Sequence, residues 1–96
     1  MLYLVKEIVL DGYPIVLSKF ESFIEDGFRF VSVEFPVTTE IYHDVTTLLY
    51  KGEFQVRISG YPDFLGRIVE YSTSVTNLYE SGQVGQFKLA LMEVKN

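Results

Sequence analysis

Residues 66–95 read GRIVEYSTSVTNLYESGQVGQFKLALMEVK, and the division of this stretch decides the fold. Its two ends are rich in β-branched and aromatic residues, which favour strands. Between them lies ESGQVGQ (80–86), with a Gly-x-x-Gly spacing. A nucleic-acid clamp of that pattern needs basic neighbours and a helical setting. A phosphate cradle needs a helix N-terminus beyond the glycines. Here Glu80 precedes the glycines, no Lys or Arg lies between residues 68 and 87, and β-forming sequence follows. Ser81–Gly85 therefore reads as the connection of a β-hairpin joining a strand over 67–79 to one over 86–94. The first strand is long enough to bend or bulge. The second alternates through Phe87, Leu89 and Leu91, after which Val94 falls on the opposite parity, so a bulge is expected near Leu91–Glu93.

More strands precede this hairpin. Residues 2–10 are apolar and β-rich, and Asp11-Gly12 is a hairpin signal. Pro14 consigns 15–17 to an edge or a strand start. Val31, Val33 and Phe35 alternate with Ser32 and Glu34, and Pro36 is expected to end that strand. Phe54, Val56 and Ile58 alternate with Gln55 and Arg57 in another. Two segments read as helical. Ser18 and Glu21 stand in capping-box register, Phe20, Phe23 and Ile24 share a face, and Gly27 would close a short helix. In TTEIYHDVTTLLYK (38–51), Ile41, Val45, Leu48 and Leu49 recur at helical spacing. Glu40 falls in the first turn, Lys51 in the last, and Gly52 follows as a stop. The several β-branched residues of this segment oppose that reading.

The expected architecture is one α+β to mostly-β domain over 1–96. A single antiparallel sheet of about five to six strands, open-barrel or two-layered, is packed by one helix near 39–51. Gly12-Tyr13-Pro14 recurs as Gly60-Tyr61-Pro62, but the flanking residues do not match, and the tripeptide is ordinary turn chemistry.

Composition excludes several functions. The 96 residues are 48% hydrophobic and 16% aromatic, enough for one core, and contain no cysteine. Disulfides, thiolate zinc sites and thiol nucleophiles are therefore absent, and a cytoplasmic location is expected. The apolar opening MLYLVKEIVLDG is interrupted by Lys6 and Glu7 and lacks the layout of a signal peptide. No apolar run approaches the roughly 20 residues that span a bilayer. Thirteen acids against eight scattered bases give a net charge of −5, which disfavours nucleic acid and anionic membrane as partners. A patch assembled by the fold from Arg29, Arg57 and Arg67 would be the exception.

Catalytic groups are sparse. His43 is the single histidine, and Glu40, His43 and Asp44 form the one combination with metal-ligand spacing. On a helix, however, His43 would lie opposite the apolar stripe and face solvent. No serine sits in a nucleophile elbow, and Walker, dinucleotide and calcium-loop patterns are missing. An enzyme is not the expected reading, and no cofactor is implied. Aromatic residues are the main resource. Phe20, Phe23, Phe28, Phe30 and Phe35 suit a core. Tyr42, Tyr50, Tyr61, Tyr71 and Tyr79 suit an interaction surface, with a polar tip on an apolar body. The first expectation is a non-enzymatic interaction or assembly module that acts by self-association, as a homo-oligomer, or by binding another protein. Alternatives are a phage- or virus-type tail-like structural subunit, whose disulfide-free, strand-and-turn style is similar, and a small ligand- or metal-binding protein using Glu40, His43 and Asp44.

Overall fold

Two Asp-Gly turns shape the N-terminal half. The computed structural model describes residues 6–74 and 84–95. Strands β1 (Glu7–Leu10) and β2 (Tyr13–Val16) are joined by Asp11 and Gly12, whose φ angles are +50° and +84°. β3 (Lys19–Glu25) and β4 (Phe28–Thr38) are joined by Asp26 and Gly27, at +53° and +81°. Two consecutive left-handed residues are what a two-residue hairpin requires, and Asp and Gly tolerate that region best.

The second turn overturns the short helix expected over 18–27. Gly27 closes a hairpin there, pairing Glu25 with Phe28 and Phe23 with Phe30. The spacing of Phe20, Phe23 and Ile24 suits a helix face, but seven ladder partners on β4 outweigh it. This is why the sheet has seven strands among the described residues, one more than the upper expectation.

β4 also runs on through Pro36 to Thr38. The Glu34 carbonyl accepts from the Ser18 N–H at 2.8 Å, so Glu34, and two residues later Pro36, turn their backbone groups away from β7. β3 has ended by then, and the missing proline N–H costs no ladder bond.

α1 (Thr39–Leu49) follows at once, as expected. Thr46 Oγ1 donates to the Tyr42 carbonyl at 2.8 Å and is 3.1 Å from that of His43, which satisfies a β-branched residue inside the helix. Gly52, at φ +79°, turns the chain out of the helix, and its N–H bonds the Leu49 carbonyl at 3.1 Å. Lys51 lies past the last turn and pairs instead with Asp11.

Strands β5 (Glu53–Arg57), β6 (Phe64–Ser74) and β7 (Val84–Glu93) complete an antiparallel sheet of order β2-β1-β5-β6-β7-β4-β3, curled into a half-barrel. Its outermost strands, β2 and β3, are consecutive in the chain and separated by Leu17 and Ser18 alone, so the two edges are tethered covalently. Gly60 sits at φ +89° in the β5–β6 turn. Both copies of Gly-Tyr-Pro thus begin with a left-handed glycine, as turn chemistry requires. β6 and β7 pair antiparallel, as the sequence predicts, although residues 75–83, with most of the Ser81–Gly85 connection, lie outside the described residues.

The concave face is the core. Ile8, Leu10, Val31, Val33, Phe35, Phe54, Val56, Phe87, Leu89 and Leu91 point into it, and Val45 and Leu49 of α1 cover part of it. At roughly 25 cal/mol per Å2 of apolar area, burial on this scale is the main stabilising term. Gly66 is buried here too. A Cβ at that position would stand 2.9 Å from Val56 Cγ2 and 3.2 Å from Phe64 Cε2, so the close approach demands glycine. Among the described residues, no helix is long and apolar enough to cross a membrane.

Candidate functional site

The site begins with an irregularity in β6. Arg67 opposes Met92 and Ile68 opposes Leu91, but Glu70 opposes Ala90. Val69 is an extra residue, a β-bulge, and it reverses the strand's parity. Before it, Phe64, Gly66 and Ile68 face the core. After it, Tyr71 and Thr73 do so, opposite Leu89 and Phe87. The bulge expected at Leu91–Glu93 of β7 is not there: β7 pairs with β4 without interruption from Val84 to Met92, and Val94 takes the opposite parity because it lies past the end of the strand. The extra residue is on β6 instead, the strand whose length allows a bulge.

This reversal brings Tyr71 beside the helix. Its ring meets Phe87 edge-on, with centroids 5.8 Å apart and planes at 86°. Tyr42 meets the same ring at 6.3 Å and 88°. Neither hydroxyl has a hydrogen-bond partner among the described residues. Burial raises the Tyr71 pKa above its ordinary value, and Tyr42 adds to the effect, so Tyr71 stays a neutral donor.

Between the C-terminal half of α1 and the upper half of β6 lies a groove of about 450 Å3 lined by Thr46, Leu49, Tyr50, Gly52, Ile68 and Tyr71. Its wall is almost wholly apolar. Tyr50 stands on the rim at 94% exposure. β5 pairs with β6 only as far as Arg67, and the Ile68 N–H is taken by the Gly52 carbonyl at 2.9 Å. Beyond that point, the flank of β6 away from β7 has no neighbouring strand among the described residues. The groove is therefore bounded on one side by an open strand edge.

The candidate tyrosines divide into two places. Tyr50 and Tyr71 line this groove, and Tyr42 meets the same Phe87 ring as Tyr71. Tyr61 is elsewhere, packed on Phe20 at 5.9 Å with the Arg29 guanidinium 5.3 Å above its ring. Tyr79 lies outside the described residues. Glu40, His43 and Asp44 are all exposed on α1, and no group of three such side chains among the described residues could hold a metal ion. His43 borders a shallow depression with Thr46, Thr47 and Tyr50, on the solvent side of the helix. Of the arginines, Arg29 is on Tyr61 and Arg57 pairs with Asp63 at 3.4 Å. On the convex face, Phe23 and Phe30 stack at 5.1 Å with planes 6° apart.

Sequence reading omits Thr46, Leu49 and Ile68 as site residues and treats Tyr71 as a surface tyrosine like the rest. Ile68 and Tyr71 are inward residues of opposite parity on one strand, and the extra residue that reconciles them shows only in the pairing with β7.

Residues 7–96 match the family described as protein of unknown function DUF3219. The chain belongs to this family. It is also similar to the uncharacterized protein YkvR of Bacillus subtilis (strain 168), 40% identical over 70 residues that cover 69% of this chain and 70% of that protein. No solved structure matches it. The match to the DUF3219 family spans β1 to β7, and so takes in both walls of the groove.

Proposed function

We propose that the protein is a non-enzymatic interaction module that receives an extended protein segment on the free flank of β6, beside the α1 groove. The observation that carries this reading is the coincidence of a strand edge unpaired among the described residues with an apolar groove. A strand added to such an edge gains main-chain hydrogen bonds, while alternate side chains enter the neighbouring pocket. The scarcity of activated nucleophiles and grouped acids supports binding over catalysis. Tyr50 and Tyr71 supply amphipathic anchors of the kind that concentrate binding energy.

Photo-crosslinking tests it. A photoreactive residue at position 73, which faces the groove side, is compared with one at position 32 on the convex face. We expect position 73 to give a defined protein adduct that is lost when Thr46→Trp fills the groove. Equal labelling from both positions, unaffected by Thr46→Trp, would sink the reading.

A further inference from the structure

We infer that the strand received on β6 is the same β6 of a second copy, so that two chains form a two-fold dimer through an antiparallel β6–β6 seam. The inference rests on the strand-addition reading above and names the occupant.

This flank of β6 lacks edge protection. Soluble proteins blunt exposed strand edges with Pro, Lys or other charges. The outermost strands of this sheet carry such devices: Pro14 on β2, and Lys19, Glu21 and Glu25 on β3. The flank of β6 that is free among the described residues, from Val69 to Ser74, reads VEYSTS and contains one charge and no proline. It is rich in strand-forming residues and unguarded over a short length.

The flank is also self-complementary. Antiparallel pairing of a strand with its own copy has a two-fold axis at its centre, and a two-fold contact must tolerate each residue meeting its symmetry mate. Centred on Ser72, the pairing sets Tyr71 opposite Thr73 of the second copy, twice over. Aromatic with β-branched is a favoured cross-strand combination. It sets Glu70 opposite Ser74 of the second copy, so the one charge on the flank never faces its own kind.

The groove favours the same pairing. Tyr71 and Thr73 of the incoming strand point to the concave side, where the apolar wall of Leu49 and Ile68 is open. Tyr50, almost fully exposed in the isolated chain, stands where it would cover them.

Sedimentation velocity from low micromolar to millimolar concentration is the test. Wild type should pass from monomer to dimer mass. Thr73→Lys, which points a charge into the seam, should weaken the dimer by at least about tenfold. Tyr50→Lys, at a solvated helix position, should act in the same direction without altering the sheet. Phe23→Lys on the convex face should leave dimerisation unchanged. A wild type that stays monomeric at millimolar concentration overturns the inference, and so does a dimer broken by Phe23→Lys but not by Thr73→Lys. The crosslinking result separates the two claims. A monomeric chain whose position 73 still yields a groove-dependent adduct to a different protein refutes the dimer and leaves strand addition standing.

Discussion

Asp11 shows how much one turn residue can hold. It occupies a left-handed conformation, its Oδ1 accepts the Gln55 N–H at 2.7 Å, its own N–H donates to the Gln55 carbonyl at 3.0 Å, and its Oδ2 pairs with Lys51. The hydrogen bond from Lys51, then that from Gln55, holds its carboxyl below the usual aspartate range. A depressed carboxylate pKa stabilises the fold above the unfolded-state value, and that contribution disappears as pH falls through the folded-state value. Asp11→Asn keeps the turn and the Gln55 bond but loses the charge. It should cost about 0.5 kcal/mol at neutral pH, the size of an exposed ion pair. Asp11→Ala also strains the left-handed position and should cost about 2 kcal/mol. Urea melts across pH check both values, and the gap between wild type and Asp11→Asn should close under acid.

Among the elements, β6 decides the most. Its bulge lets one strand serve two purposes: the lower half fills the core with Phe64 and Ile68, and the upper half turns Tyr71 toward the helix. Deleting Val69 should remove the bulge and keep Tyr71 and Thr73 on the concave side, because Glu70 then follows Ile68 directly and still opposes Ala90. Tyr71→Ala, by contrast, should cost about 2 kcal/mol, because the Tyr71–Phe87 contact and its burial are lost. Tyrosine absorbance during alkaline titration is the specific readout. The elevated Tyr71 ionisation should persist when Val69 is deleted and disappear with Tyr71→Ala. The helix over 39–49 was legible because one apolar stripe and a glycine stop agreed. β3 was misread because Phe20, Phe23 and Ile24 satisfy helical spacing and the decisive signal, Asp26-Gly27, closes either a helix or a hairpin. The candidate groove was hardly legible at all. It depends on a parity change that has meaning only once β6 is in register with β7.

At the scale of the whole molecule, the seams of the sheet are unequal. β4 and β7 are paired all the way from Phe30–Met92 to Thr38–Val84, whereas among the described residues β1 meets β5 only at Val9–Arg57 and Leu10–Val56. Native-state amide exchange should reveal this difference. The amides around Leu10 and Val56 should open through a partial unfolding at lower free energy than those of Val33 and Leu89, and Asp11→Ala should lower that opening energy selectively. The tether of Leu17 and Ser18, which joins the two outermost strands, has a mechanical meaning in this light. The sheet can unroll like a cuff along its short β1–β5 seam, with Asp11 as the clasp. Its N-terminal hairpin would swing away while still hinged to β3, and the long β4–β7–β6 panel would stay intact.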